Sequence, residues 1–186
     1  MTTEHTLAKG KLLIAEPFLG DPNFKRSVIL ICEHNSRGSI GFTLTQKTEL
    51  CLANFVDDNL YPDIPLYIGG PVESNTIHFL HRLGHIIDDS IKIRDDIYWG
   101  GNFEQIINLL NVGAIKENDI RFFMGYSGWT SGQLEEEVDD KSWIVSQADS
   151  EFIFDTSSKD FWRGILKQMD GKYKMMANYP LDPRLN

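Results

Sequence analysis

Gly125-Tyr126-Ser127-Gly128-Trp129-Thr130-Ser131-Gly132-Gln133-Leu134-Glu135-Glu136-Glu137 follows the apolar run Ile120 to Met124 and leads into a helical pattern. Within thirteen residues it sets three glycines and two large aromatic rings beside a helix-start signal. Glycine is costly where ordinary backbone would serve, so three of them point to tight turns or close backbone approach. Thr130-x-x-Gln133 spells a capping box, with the hydroxyl and the amide answering orphan donors at a helix start. Glu135, Glu136 and Glu137 fall in the first turns, where the helix dipole favours negative charge and an anion would be repelled. The stretch therefore reads as strand 120–124, a glycine-rich loop, and helix 132–138.

Outward from it, Trp143 to Val145 reads as a strand and residues 158–169 as an amphipathic helix. Asn102 caps a helix whose apolar residues recur at 103, 106, 107 and 110, and Gly113 is placed to end it. Lys11 to Ala15 is a short strand stopped by Pro17. Gly20-Asp21-Pro22-Asn23 is turn chemistry in which Asp21 makes an Asx-type turn. Ser27 to Glu33 is a continuous β-branched run, the mark of a strand covered on both faces. Ile40 to Thr45 alternates, so 27–45 forms a hairpin. Pro65 to Ile68, Ile77 to Leu83 and Ile91 to Ile93 are further strands, and Leu50 to Val56 reads as a short helix. Residues 1–8 are a loose start and 178–186 an extended tail, giving one domain over 1–186. Early hairpins with interleaved helices favour α+β with a mixed sheet.

Of the 186 residues 41% are hydrophobic and 24% charged, which fits a globular domain, and the net charge of −9 repels phosphate backbones and anionic membranes. No segment reaches the ~20 apolar residues of a membrane span and no signal peptide is visible, so a cytoplasmic protein without membrane association is expected. Cys32, inside an apolar strand, reads as a buried inert thiol.

Four signatures occur in order. They are Gly10-Lys11-Leu12-Leu13-Ile14-Ala15-Glu16-Pro17 with Asp21-Pro22-Asn23-Phe24-Lys25-Arg26-Ser27-Val28; Gly38-Ser39-Ile40-Gly41-Phe42; Tyr67-Ile68-Gly69-Gly70-Pro71-Val72; and the glycine-rich stretch closed by Trp143. Together they resemble the AlgH/YqgE family of bacterial proteins. The resemblance implies a bifurcated sheet, partly closed into a small barrel and surrounded by helices. It brings no catalytic assignment, and some members carry the label of transcriptional regulator. Where the family usually has Asn, often with Pro soon after, this chain has Thr45-Gln46-Lys47. The family often carries Ala at the position of Ser127, which a required hydroxyl would not allow.

The candidate chemistry is thin. Ser127 stands between a strand and a helix like a nucleophile elbow, but Trp129 takes the place of the second glycine of G-x-S-x-G. His78, His81 and His85 would share a helix face, yet the segment reads as a strand, on which 78 and 81 point to opposite faces, so no metal site is expected. No cofactor motif is present, and no nucleic-acid motif accompanies the scattered basic residues.

The expected function is a non-enzymatic binding or regulatory module that holds a small molecule or another protein. The expected surface is Tyr67, Gly69, Gly70, Pro71, Tyr126, Ser127, Gly128, Trp129 and Gly132, with aromatic rings lining a crevice. The competing reading makes these residues tight corners and core. Two alternatives are a transcriptional regulator acting directly on DNA and a small hydrolase using Ser127 or Asp21.

Overall fold

The structure is a computed structural model that describes residues 6–56, 63–147, 149–155 and 160–180. In chain order the strands are β1 (Leu12–Ala15), β2 (Val28–Asn35), β3 (Gly38–Thr43), β4 (Lys47–Cys51), β5 (Pro65–Ile68), β6 (Val72–His81), β7 (Ile91–Arg94), β8 (Ile97–Trp99), β9 (Ile120–Thr130) and β10 (Trp143–Ser146). The helices are α1 (Phe103–Asn111), α2 (Gln133–Asp139), α3 (Ser150–Phe154), α4 (Phe161–Gln168) and α5 (Lys172–Met176). The fold is α+β, with a ten-stranded mixed sheet ordered β10-β1-β2-β3-β9-β6-β8-β7 and a branch formed by β4 and β5. The sheet curls without closing, so the barrel is only partial: β10 and β7 stand at its ends.

Strand alternation splits the apolar residues between faces. Leu12, Ile14, Leu30 and Phe42 pack with Phe161, Trp162, Ile165 and Leu166 of α4. Leu13, Ile29 and Ile31 pack the other way, against Trp129, Trp143 and Leu134 of α2. Burial on both sides explains the unbroken apolar runs of β1 and β2. A further cluster joins Leu66, Phe79 and Phe122 to Ile106 and Leu110 of α1. As the sequence predicts, Asn102 caps α1 by accepting from Gln105 N–H, and Gly113 follows its end with φ 67°.

The sheet forks at β9. One edge of β9 pairs with β6, from Ile120↔His81 to Tyr126↔Val72, with an irregularity between. Its other edge serves two strands in succession. Phe122, Phe123 and Met124 pair in parallel with Leu66, Tyr67 and Ile68 of β5, and Ser127 to Thr130 pair antiparallel with Gly41 to Gly38 of β3. The changeover falls at Gly125-Tyr126. Gly125 has φ +64°, and a Cβ there would lie 2.6 Å from Val72 O. At Gly70 a Cβ would come within 2.2 Å of Tyr126 C, so β5 runs out directly against the β9 backbone.

Several expectations change. The strand predicted over 120–124 continues to Thr130, because β3 and β6 supply backbone partners through the glycine-rich stretch. The short helix expected over 50–56 is the end of β4 followed by one 3-10 turn, Leu52–Asn54. There Asn54 Oδ1 accepts Cys51 N–H at 2.9 Å. Helix α2 starts at Gln133 with Gly132 as its cap, not at a full capping box. Gln133 Oε1 does take Thr130 N–H at 3.0 Å, but the Thr130 hydroxyl turns to that same oxygen. Of the tail, Asn178 closes a turn onto Met175 O, and Arg26 holds the Tyr179 and Pro180 carbonyls, both at 2.6 Å. Leu7 packs against the α2-side core, which ties down part of the supposedly loose start. Residues 1–5, 158–159 and 181–186 lie outside the described residues.

The fork gives a graded test. Gly132 has φ +80° with nothing within 4 Å of an added Cβ, so Gly132→Ala should cost only the backbone strain, about 1–2 kcal/mol. Gly125→Ala adds a clash with Val72 O and should cost about 1 kcal/mol or more beyond that. Urea denaturation of both variants measures the difference; equal losses would mean the approach of Val72 is not a constraint.

Candidate functional site

The predicted site residues divide by face. Ser127 is fully buried, and its Oγ donates to Gly69 O at 2.9 Å and lies 3.3 Å from Thr43 Oγ1. Tyr67, 3% exposed, lies face-on beneath the Arg121 guanidinium, 4.3 Å from its ring centroid. Trp129, 6% exposed, belongs to the opposite, α2-side core. There it stacks on Phe24 at 6.2 Å and meets Trp143 edge-on at 6.1 Å. Tyr67 and Trp129 therefore do not share a crevice wall. Gly69 and Gly70 are buried in the fork, while Pro71, Gly128 and Gly132 are exposed and Tyr126 is half-buried. The part of the predicted surface that meets solvent is Pro71, Tyr126, Gly128 and Gly132, with the Tyr126 ring edge-on to His78 at 5.8 Å.

Asp21 makes the predicted Asx turn: its Oδ1 accepts Asn23 N–H at 2.9 Å. His78 and His81 sit on opposite faces of β6, as alternation requires, and among the described residues no group of three or more His, Cys, Asp or Glu is placed to hold a metal. The buried thiol reading of Cys32 holds: burial pushes its pKa well above the ordinary range. Ser39 Oγ lies 2.8 Å from His34 Nδ1, and His34 Nε2 is 3.9 Å from Glu135 Oε1. This has the composition of a Ser–His–Glu triad, but Ser39 is only 4% exposed and the carboxylate contact exceeds hydrogen-bond length.

Three polar devices fix the framework. Glu137 Oε2 accepts the indole N–H of both Trp129 (2.9 Å) and Trp143 (2.7 Å), while its Oε1 accepts from Gln133 Nε2 at 3.0 Å. One carboxylate thus locks α2 to β9 and β10. Arg121, 3% exposed, donates to Ile153 O at 2.9 Å at the end of α3. Burial lowers its pKa, while Tyr67, Asp155 and Glu117 oppose the shift. His81 accepts Leu83 N–H at Nδ1 (3.1 Å), which assigns the proton to Nε2, 2.8 Å from Gly100 O. Burial lowers the His81 pKa, and the Gly100 carbonyl works against that shift. From the sequence Arg121 has no role, Glu137 only a place in the first helical turns, and His81 only a metal reading that the strand pattern opposes. A lone arginine in an apolar strand, and a glutamate eight residues after one tryptophan and six before another, are the signals that could have found two of them.

Room for a ligand lies at one end of the sheet. A groove of about 710 Å³ follows Ser142 to Val145 of the β10 edge and is walled by Phe18, Leu19, Val138, Lys172, Tyr173 and Met176. A second, of about 360 Å³, adjoins it at Tyr173 and continues past Ser146 and Gln147 toward Gln168, Met169 and Asp170. None of the residues lining either one is a histidine or a cysteine. Sequence reading could not find this site, because its far wall is the five-residue helix α5, too short to show a period.

The AlgH-like family profile matches residues 12–174. The chain belongs to the AlgH-like family. A UPF0301 protein of Cytophaga hutchinsonii is 45% identical over 97% of this chain and 100% of its own length, and one from Chlorobaculum tepidum is 42% identical over the whole of both chains. The solution structure of AlgH from Pseudomonas aeruginosa superposes with a TM-score of 0.73 at 24% identity, covering 97% of this chain and 98% of that one. A Corynebacterium diphtheriae crystal structure gives 0.76 at 23%, covering 96% and 95%. At these identities the two structures establish the shared fold. AlgH-like membership confirms the resemblance carried by the four signatures.

Two outcomes follow from the polar devices. Glu137→Gln replaces an acceptor of two indole donors with a group that is half donor, and should cost about 1–3 kcal/mol with altered tryptophan fluorescence; an unchanged emission spectrum would contradict the double contact. For His81 the folded pKa lies below the unfolded value of about 6.5, so the unfolded state binds the proton more readily. The stability His81 contributes is complete above that pH and is lost as pH falls toward the folded value. Urea unfolding from pH 7.5 to 5.5 should show this loss in the wild type and a shallower dependence in His81→Gln. An identical slope would remove His81 from the account.

Proposed function

We propose that this AlgH-like chain is a non-enzymatic binding module of the bacterial cytoplasm that acts in regulation by holding a partner in the groove along β10. The observation that carries the reading is the groove itself: a concavity of about 710 Å³ along β10, walled by apolar side chains such as Phe18, Leu19, Val138 and Met176 beside polar ones. The hydrolase alternative draws less support. Ser127 Oγ is buried and spent on Gly69 O, and Asp21 is engaged in its own turn. Direct DNA binding is opposed by the net charge of −9. Among the described residues no helix is long and apolar enough to cross a membrane.

A fragment screen by amide-shift mapping on labelled protein, run beside ester, phosphate and phosphodiester turnover assays, tests this. The expected result is shifts concentrated at 16–20, 141–147 and 168–176 with no turnover. Turnover abolished by Ser127→Ala in a folded protein, or shifts confined to Pro71, Tyr126 and Gly128, would overturn it.

A further inference from the structure

Four strands each bring one ring to the α4-side face of the sheet, away from the β10 groove. Phe42 of β3 is buried, while His78 of β6, Trp99 of β8 and Tyr126 of β9 are half-buried. His78 stands opposite Phe123, and Trp99 stands opposite Leu80, two residues along β6 on the same face. Phe123 and Tyr126, three apart, would face opposite ways on a regular strand, yet both belong to this core. The irregularity at Gly125, with φ 64°, brings Tyr126 round. From these rings we infer a second binding site, separate from the groove, that takes a small organic ammonium ion carrying N–H groups.

The angles between the rings favour a compact guest over a flat one. The His78 ring is 5.8 Å from Tyr126 at 85° and 6.4 Å from Trp99 at 48°. Phe42 lies beneath, 5.3 Å from His78 and 5.6 Å from Trp99 at 67°. A flat ligand is gripped between parallel rings, whereas crossed rings suit a cation held against their faces. Among the described residues the chain's own cation–π contacts fall on Trp162, Tyr98, Tyr67, Phe161 and Tyr173, so none is made to these four rings.

The polar atoms supply acceptors for N–H groups. The Thr76 hydroxyl donates to Glu73 O at 2.8 Å and lies 2.9 Å from His78 Nε2. Satisfying both contacts puts the imidazole proton on Nε2 and leaves a lone pair on Nδ1. Among the described residues nothing hydrogen-bonds that nitrogen or the Tyr126 hydroxyl, and neither is sealed from solvent. Burial lowers the His78 pKa, with Glu73 opposing the shift, so the ring stays uncharged at neutral pH and does not repel a cation. The net charge of −9 draws cations to the surface.

Trp99 is set apart from the other three tryptophans. The indole N–H groups of Trp129 and Trp143 go to Glu137, and that of Trp162 goes to Ala15 O. Trp99 has no such anchor among the described residues. Space beside Tyr126 is kept by Gly128, which is exposed. A Cβ there would meet Tyr126 Cε2 at 3.3 Å. Gly128 is not among the glycines with positive φ, so a side chain at this position is free of backbone strain.

The test is an NMR titration of the intact protein with butylammonium, with 1-butanol as its uncharged counterpart, with tetramethylammonium, and with adenosine as a flat ligand. Butylammonium should shift the Trp99 indole N–H and the ring signals of His78 and Tyr126, and should bind about tenfold more tightly than 1-butanol. His78→Phe keeps a ring and removes the acceptor, and should weaken butylammonium several-fold while leaving tetramethylammonium unchanged. Gly128→Leu leaves every ring in place and should abolish the Tyr126 shifts by covering the ring. Equal binding of butylammonium and 1-butanol would reduce the cluster to apolar surface and overturn the site. So would preference for adenosine, shifts that avoid the three rings, or shifts that Gly128→Leu leaves intact.

Discussion

One carbonyl holds the fork together. Gly69 O accepts Thr43 N–H at 2.9 Å at the end of β3 and the Ser127 hydroxyl at 2.9 Å on β9, while Gly69 N–H reaches Met124 O at 2.8 Å. Three strands converge on one residue, at the point where β9 exchanges β5 for β3. A buried carbonyl without partners would cost the full desolvation of that group, so this convergence is an energetic requirement as much as a geometric one. The close approach of Gly70 and Gly125 follows from it, since side chains would push the three backbones apart.

Everything that faces the two cores is hung from that junction. Residues eight apart on a regular strand share a face, so it is the irregularity at Gly125, with φ 64°, that lets Arg121 at the start of β9 and Trp129 near its end project to opposite faces. Arg121 ties α3 to one face through Ile153 O; Trp129, with Trp143, ties α2 to the other through Glu137. Ser127, Tyr67 and Trp129 are thus engaged in the framework, while the larger groove lies at β10, several strands away.

Much of this was legible in the chain. The hairpin of β2 and β3 followed from alternation, the Asx turn from Asp21-Pro22-Asn23, and α1 from Asn102, its apolar stripe and Gly113. The α+β class and the fork came through, the latter by resemblance. What misled was the assumption that glycines beside aromatics make a loop. In this stretch the backbone finds strand partners, Val72 of β6 at Tyr126 and Gly41 to Gly38 of β3 at Ser127 to Thr130, so pairing overrode local propensity. Tyr67 and Trp129 were placed together because both sit near glycines; their opposite faces depend on strand register, which no local signal reveals. Short elements such as β8 and α5 carry too few residues for a period, and the groove depends on one of them.

The most direct test of this account is native-state hydrogen exchange at the Thr43 amide, whose acceptor is Gly69 O. If the fork is the constraint on which the sheet depends, that amide exchanges only with the free energy of global unfolding, alongside the amides of β2 and β9. Exchange at Thr43 through local opening, while β2 and β9 stay protected, would show that the sheet stands without the junction and would contradict the account.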